Sequence, residues 1–146
     1  MDPRLVYDLL FVEDKHYDFE VVRAVLTDQN RRLRLNSVST AGDAIAYLKQ
    51  QNCYSEAPTP DLVMIDLDGH DKEGLSLLRS IKSDPELRRL PVICLLSEHE
   101  AMSDCYVSGA NCCLKKPSSL DHLANLIMQV DKFWFRIART PFTLAG

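Results

Sequence analysis

Short apolar runs alternate along this chain with longer stretches in which apolar residues recur at helical spacing, and this alternation constrains the fold more than any other feature. Apolar runs predict five strands, at about residues 5–12, 33–39, 61–66, 91–96 and 112–115. Helical spacing predicts helices at about 16–29, 40–51, 73–82, 100–108 and 118–134. Strands and helices in strict alternation are typical of α/β proteins. Because crossovers between parallel strands are right-handed, we predict a doubly wound, five-stranded parallel sheet.

Three acidic residues stand at the ends of two predicted strands. Glu13 and Asp14 directly follow the first apolar run, and Asp66 ends the run Leu62–Ile65. Ligands of open α/β sheets collect at the carboxyl ends of the strands. If the two strands are neighbours, the carboxylates converge, and each like-charge pair about 5 Å apart costs roughly 3 kcal/mol at an effective dielectric near 20. Such a cluster favours a divalent cation, and its oxygen ligands suit Mg²⁺.

A lysine follows the fifth predicted strand, in the segment Leu114-Lys115-Lys116-Pro117. An ammonium group at the mouth of an acidic pocket can hold an incoming phosphoryl group. The chain therefore combines two acids, one aspartate and one lysine, each at the end of a predicted strand.

This combination resembles the receiver domain of two-component response regulators. The resemblance runs from about Leu5 to Trp134 and is carried by the segments 10–14, 60–67, 90–93 and 109–117. The ending Phe133-Trp134-Phe135, with Pro141 soon after, further resembles the small receivers that partner bacterial phytochromes. The resemblance implies a flavodoxin-like (βα)5 fold with strand order 2-1-3-4-5.

The resemblance also implies a role for each candidate residue. Asp66 accepts a phosphoryl group from a histidine kinase, in the narrower match a bacteriophytochrome. Glu13, Asp14 and Asp66 hold Mg²⁺, to which Asp68 adds its backbone carbonyl, and Lys116 pairs with the phosphoryl oxygens. Such a domain carries a signal and is not an enzyme, apart from Mg²⁺-dependent self-phosphorylation and autodephosphorylation. It needs no organic cofactor.

Several positions depart from the family pattern. Leu96 stands where receivers place the threonine or serine that follows the phosphoryl group, and Ser97 comes one residue later. Cys113 replaces the usual aromatic partner of that hydroxyl, His70 replaces a proline, and Glu73 replaces a common aspartate. Either Ser97 supplies the hydroxyl through a bulge, or switching is altered or weak; we favour altered switching.

Two alternative functions stay open. A degenerate receiver would act as a protein-interaction module with weak or atypical phosphotransfer, as Leu96 and Cys113 suggest. The segment Ile65-Asp66-Leu67-Asp68-Gly69 also resembles the nucleophile motif of haloacid-dehalogenase-type phosphatases, with Asp68 as the general acid. The phosphatase hypothesis leaves Glu13 and Asp14 without a role.

Size and charge limit the remaining possibilities. The 146 residues suit one receiver domain over 1–146, with a core at about 5–130 and a C-terminal helix extension and tail at 131–146. A net charge of −4 argues against nucleic-acid binding. The first apolar stretch is too short to span a membrane. Five cysteines, an odd number, and no signal peptide predict a cytoplasmic protein.

Three consecutive aromatic residues, Phe133, Trp134 and Phe135, predict a partner surface. Successive helical residues point about 100° apart, so one helix cannot bury all three against its own core. We therefore expect a homodimer or another partner at the C-terminal helix.

Overall fold

A parallel sheet in the order β2-β1-β3-β4-β5 forms the centre of the computed structural model, which describes residues 6–13, 20, 21, 23, 24, 28, 33–67, 72–96 and 102–137. The strands are β1 (Tyr7–Val12), β2 (Leu33–Val38), β3 (Leu62–Leu67), β4 (Val92–Leu96) and β5 (Cys112–Lys115). The helices with described bounds are α1 (Ala41–Leu48), α2 (Lys72–Ser83), α3 (Met102–Val107) and α4 (Leu120–Asp131). Residues 20, 21, 23, 24 and 28, in the first predicted helix, also have helical backbone. The predicted flavodoxin-like fold and strand order are confirmed.

Each face of the sheet buries its own hydrophobic core. One core contains Ile65 and Leu67 of β3 and packs against α1, α2 and α3; the other contains Met64 and packs against α4. Consecutive residues of a strand point to opposite faces. Because helices cover both faces, the strands are apolar throughout, and this explains the short unbroken apolar runs in the sequence.

Side-chain caps begin two of the helices where the sequence predicted them. Thr40 Oγ1 accepts a hydrogen bond from the backbone N–H of Asp43 at 3.0 Å, and Ser119 Oγ accepts one from the N–H of His122 at 3.2 Å. α1 ends earlier than the predicted residue 51, because Gln50 adopts the left-handed conformation with φ of 55°. The predicted loop after it contains a short 3₁₀ helix, Asn52–Tyr54.

The C-terminal helix continues past α4 as a π-helical segment, Lys132–Ile137. Trp134 is partly buried against the core beneath α4, whereas Phe133 is 50% exposed and meets the Trp134 ring edge-on, with centroids 5.4 Å apart. Phe135 has no described side chain. At least one of the three aromatic residues therefore faces solvent. No helix in the described ranges is long and apolar enough to cross a membrane.

Gly74 lets the first turn of α2 lie against the carboxyl end of β3. A β-carbon at this buried position would overlap Leu67 Cδ2 and would lie 3.4 Å from Leu67 Cγ and 3.6 Å from Ile65 Cγ2. Since protein interiors leave few gaps, a side chain at this position would force Leu67 to shift. The approach sets the position of α2 relative to Asp66.

We expect Gly74→Ala to lower the free energy of unfolding by about 1–3 kcal/mol, because the added methyl group overpacks the contact with Leu67. The matched control is Gly42→Ala in α1, where the nearest atom to an added β-carbon is Thr40 Oγ1 at 4.0 Å. That control should be neutral or should stabilise by up to about 1 kcal/mol. Urea denaturation of both variants measures the difference, and equal stabilities would contradict the packing argument.

Candidate functional site

Asp66 lies next to the last residue of β3, the middle strand of the sheet. It stands opposite Leu95 of β4 in the register, and Val12, the last residue of β1, stands opposite Ile65. The strands are parallel, so their carboxyl ends meet at one edge of the sheet. This register brings residues distant in sequence to the two sides of Asp66.

Lys116 reaches Asp66 from the end of β5, across β4. Lys116 Nζ donates a hydrogen bond to Asp66 Oδ2 at 2.6 Å, and the two side chains are 9% and 3% exposed. The backbone N–H of Lys116 donates to the carbonyl of Leu96 at 2.6 Å, so the end of β4 holds the backbone of Lys116 in place. Removing one partner of a buried ion pair leaves an uncompensated charge, at a cost of about 3–5 kcal/mol.

Glu13 approaches the same place from the end of β1. Its backbone N–H donates to the carbonyl of Val38 at 3.1 Å, which extends the pairing of β1 with β2 by one residue. Glu13 is buried, and Glu13 Oε2 and Asp66 Oδ1 are both closed off from bulk solvent. Two carboxylates from neighbouring strands are therefore held in the protein near one another.

A small cleft of about 20 Å³, partly open to solvent, joins these carboxylates. Glu13 and Asp66 line it together with Ser39, which follows β2, and with Glu73 and Gly74 from the first turn of α2. Ala41, the first residue of α1, also lines it, so the cleft is built from the ends of three strands and the beginnings of two helices.

The donor atoms in this cleft fit a hard divalent cation such as Mg²⁺. Glu13 and Asp66 are both buried at the cleft, so it offers carboxylate oxygens from two neighbouring strands. Oxygen donors are the ligands that Mg²⁺ prefers. In the part of the chain that the structure describes, no three histidine, cysteine, aspartate or glutamate residues are grouped closely enough to hold a metal by themselves.

Three of the predicted site residues, Asp14, Asp68 and Ser97, lie outside the described residues. The structure brings together the other three, Glu13, Asp66 and Lys116. Ser39 and Glu73 also line the cleft, although the sequence pattern did not predict them there. Ser39 directly follows β2, so the rule that ligand-binding residues follow the carboxyl ends of strands could have predicted it. The place of Glu73 in the cleft depends instead on how closely α2 approaches β3.

Leu96 and Cys113, the two departures from the switch pattern, both face the core beneath α1, α2 and α3. Leu96 is 1% exposed and belongs to that core, as does Cys113 on the neighbouring strand. An apolar side chain at this position offers no hydroxyl to a phosphoryl group. The pair therefore packs the interior and does not form a polar relay.

Cys113 lies among other thiols and is tied to α3 through its backbone. Burial raises the pKa of the Cys113 thiol, and contact with Cys94 together with burial raises that of Cys105. Thiols held in the protonated form are poor nucleophiles and metal ligands. The N–H of Cys113 donates to the Tyr106 hydroxyl at 3.1 Å. The aromatic side chain that contacts β5 here therefore comes from α3 and not from β5 itself.

Comparison with known proteins identifies relatives along almost the whole chain. The chain is 31% identical to the response regulator Rcp1 of Synechocystis sp. over 135 residues, which cover 91% of this chain and 92% of Rcp1. Its structure resembles that of the phosphorylated cyanobacterial phytochrome response regulator RcpA, with a TM-score of 0.86, 30% identity and coverage of 93% and 99% of the two chains. It also resembles the Mn²⁺-bound form of Rcp1, with a TM-score of 0.84, 31% identity and coverage of 92% and 99%.

The family profile of the response regulator receiver domain matches residues 9–128. This range contains four of the strands in full and most of β1, together with the cleft and both members of the buried ion pair. The chain therefore belongs to the response regulator receiver domain family of two-component signalling proteins.

Proposed function

We propose that this receiver accepts a phosphoryl group from a histidine kinase on Asp66, with Mg²⁺ held by Glu13, Asp14, Asp66 and the backbone carbonyl of Asp68. The observation that carries the proposal is the buried contact between Lys116 Nζ and Asp66 Oδ2, beside a cleft that Asp66 lines together with Glu13. A buried ion pair is weak grounds for stability alone, but its position at the carboxyl edge of the sheet suits ligand binding.

The chemistry follows from these groups. An Asp66 carboxylate oxygen attacks the phosphorus atom, the bond from phosphorus to the donor's histidine nitrogen breaks, and an acyl phosphate forms. Mg²⁺ supplies positive charge that offsets the charge of the transferring group. Lys116 keeps Asp66 anionic before transfer and then pairs with a phosphoryl oxygen, a charge-assisted hydrogen bond. Glu13 holds its carboxylate toward the same cleft throughout.

The relatives support the kind of partner and metal. The two similar solved structures are named as a phytochrome response regulator and as an Mn²⁺-bound receiver. We infer that the donor kinase is a bacteriophytochrome or a similar sensor, and that the cleft binds a divalent cation. The five free cysteines support a reducing, cytoplasmic location.

Residues beyond the matched range are proposed to belong to the same domain. Val130 and Trp134 pack on the core beneath α4, so the extension shares the interior of the receiver. We propose that the exposed face of this extension, at Phe133, contributes to a homodimer surface, because an exposed phenylalanine gains free energy when a partner buries it.

A second candidate, a receiver with atypical switching, is favoured by the burial of Leu96 and Cys113 in the core. In this version Asp66 is still phosphorylated, but output does not pass through a hydroxyl on β4. The phosphatase hypothesis receives less support, because the family match covers Glu13 and Lys116 as well as Asp66.

Asp66→Asn should abolish phosphorylation. Incubation of the wild type with acetyl phosphate and Mg²⁺ should add the mass of one phosphoryl group, measured on the intact protein, because the carboxylate is the nucleophile. The variant, and the wild type treated with a metal chelator, should show no mass gain. A wild type that never gains mass would leave the degenerate receiver as the better hypothesis.

Lys116→Ala should slow phosphorylation by acetyl phosphate roughly tenfold to a hundredfold, because a charge-assisted hydrogen bond is worth roughly 1.5–3 kcal/mol. The matched control is Lys115→Ala, which removes the same charge from the adjacent, exposed residue. Initial rates at saturating Mg²⁺ compare the two variants. Equal effects on the rate would show that the pair with Asp66 has no special role.

Phe133→Ser should weaken self-association, because it removes an exposed aromatic surface from the C-terminal extension. Sedimentation equilibrium, with and without phosphodonor, measures the dimer dissociation constant, which we expect to rise at least tenfold. The control is Val107→Ser, another exposed apolar residue, on α3. A variant that dimerises as tightly as the wild type would place the interface elsewhere.

A further inference from the structure

Glu73 is a carboxylate in the cleft to which the proposed reaction assigns no role. It lies in the first turn of α2 and lines the cleft with Glu13 and Asp66. Unlike those two residues, it is exposed to solvent. Its place is therefore at the mouth of the cleft and not in its buried interior.

The packing of α2 holds Glu73 in this place. The next residue, Gly74, lies directly against Leu67, and its missing side chain allows the helix to approach the carboxyl end of β3. Glu73 is thus carried on a helix whose first turn packs against the end of β3, so this packing sets the place of its carboxyl group in the cleft.

Exposure separates Glu73 from the buried carboxylates of Glu13 and Asp66. A carboxylate at the solvent-exposed mouth of a cleft can act on a cation bound deeper in the cleft through its electric field, without ligating it.

The size of this effect follows from Coulomb's law. For a unit charge about 8 Å from a divalent cation, at a dielectric constant of about 80, the interaction corresponds to a roughly three- to tenfold change in affinity. The same charge repels an anionic phosphodonor. At about 1 M salt the Debye length falls to about 3 Å, which screens an exposed charge but not a direct metal–ligand bond.

We propose that the carboxylate of Glu73, through its electric field, strengthens binding of a divalent cation in the cleft and slows the approach of anionic phosphodonors. This inference rests on the proposed phosphoacceptor function of Asp66. The same charge at the mouth of the cleft would therefore raise the affinity for the cation and lower the rate at which an anionic phosphodonor reacts.

The experiment compares Glu73→Gln, Glu73→Asp and Glu13→Gln with the wild type, using Mg²⁺ alone as the probe. Isothermal titration calorimetry at low salt and at about 1 M salt measures each affinity. The control is Glu56→Gln, which removes an exposed carboxylate in the loop before β3, at the opposite end of that strand. Thermal unfolding verifies that each variant folds.

We expect Glu73→Gln to weaken Mg²⁺ binding roughly three- to tenfold at low salt and less than about twofold at high salt. Glu73→Asp, which keeps the charge, should bind like the wild type, and Glu13→Gln should lose affinity at both salt concentrations. At saturating Mg²⁺, Glu73→Gln should react with acetyl phosphate a few-fold faster than the wild type.

Two results would overturn the inference while the proposed function stands. One is an affinity of Glu73→Gln equal to that of the wild type at low salt; the other is a loss that persists undiminished at high salt, which would make Glu73 a ligand. A wild type that binds no Mg²⁺ would instead overturn the assignment of the cleft and this inference with it.

Discussion

The contact between Lys116 and Asp66 depends on the register of three parallel strands, and the candidate site depends on that contact. The two residues are 50 positions apart in the sequence and meet only because β3, β4 and β5 end at the same edge of the sheet. Glu13 joins them for the same reason, since β1 ends beside β3. A shift of one residue in any of these strands would turn its side chains to the opposite face of the sheet.

Adjacent residues at the end of β3 serve chemistry and packing separately. Asp66 contacts Lys116, whereas Leu67 lies in the core beneath α1, α2 and α3 and contacts the first turn of α2 at Gly74. The geometry of the cleft is therefore set by apolar contacts beneath it. The same alternation places Leu96 in the core, so a receiver can keep the groups that accept a phosphoryl group while its usual switch position is used for packing.

Much of this arrangement could be predicted from the sequence. The apolar runs predicted all five strands, helical spacing predicted two helix starts near residues 40 and 118, and the residues at the strand ends predicted Glu13, Asp66 and Lys116 as neighbours. The end of α1 was wrong by three residues, since nothing in the apolar spacing marks the left-handed backbone at Gln50. The π-helical segment after Asp131 and the division between the exposed Phe133 and the partly buried Trp134 also lay beyond sequence patterns.

The sequence by itself determined the order of strands and helices, the covering of both sheet faces and the charged residues at the strand ends, because local spacing and composition encode these directly. Tertiary structure alone decided which of those residues meet: the 2.6 Å contact of Lys116 with Asp66, the burial of Glu13 and the entry of Glu73 into the cleft. The physical reason is that such contacts depend on how closely elements distant in the chain pack, and that closeness is set by side-chain volumes such as the missing one at Gly74.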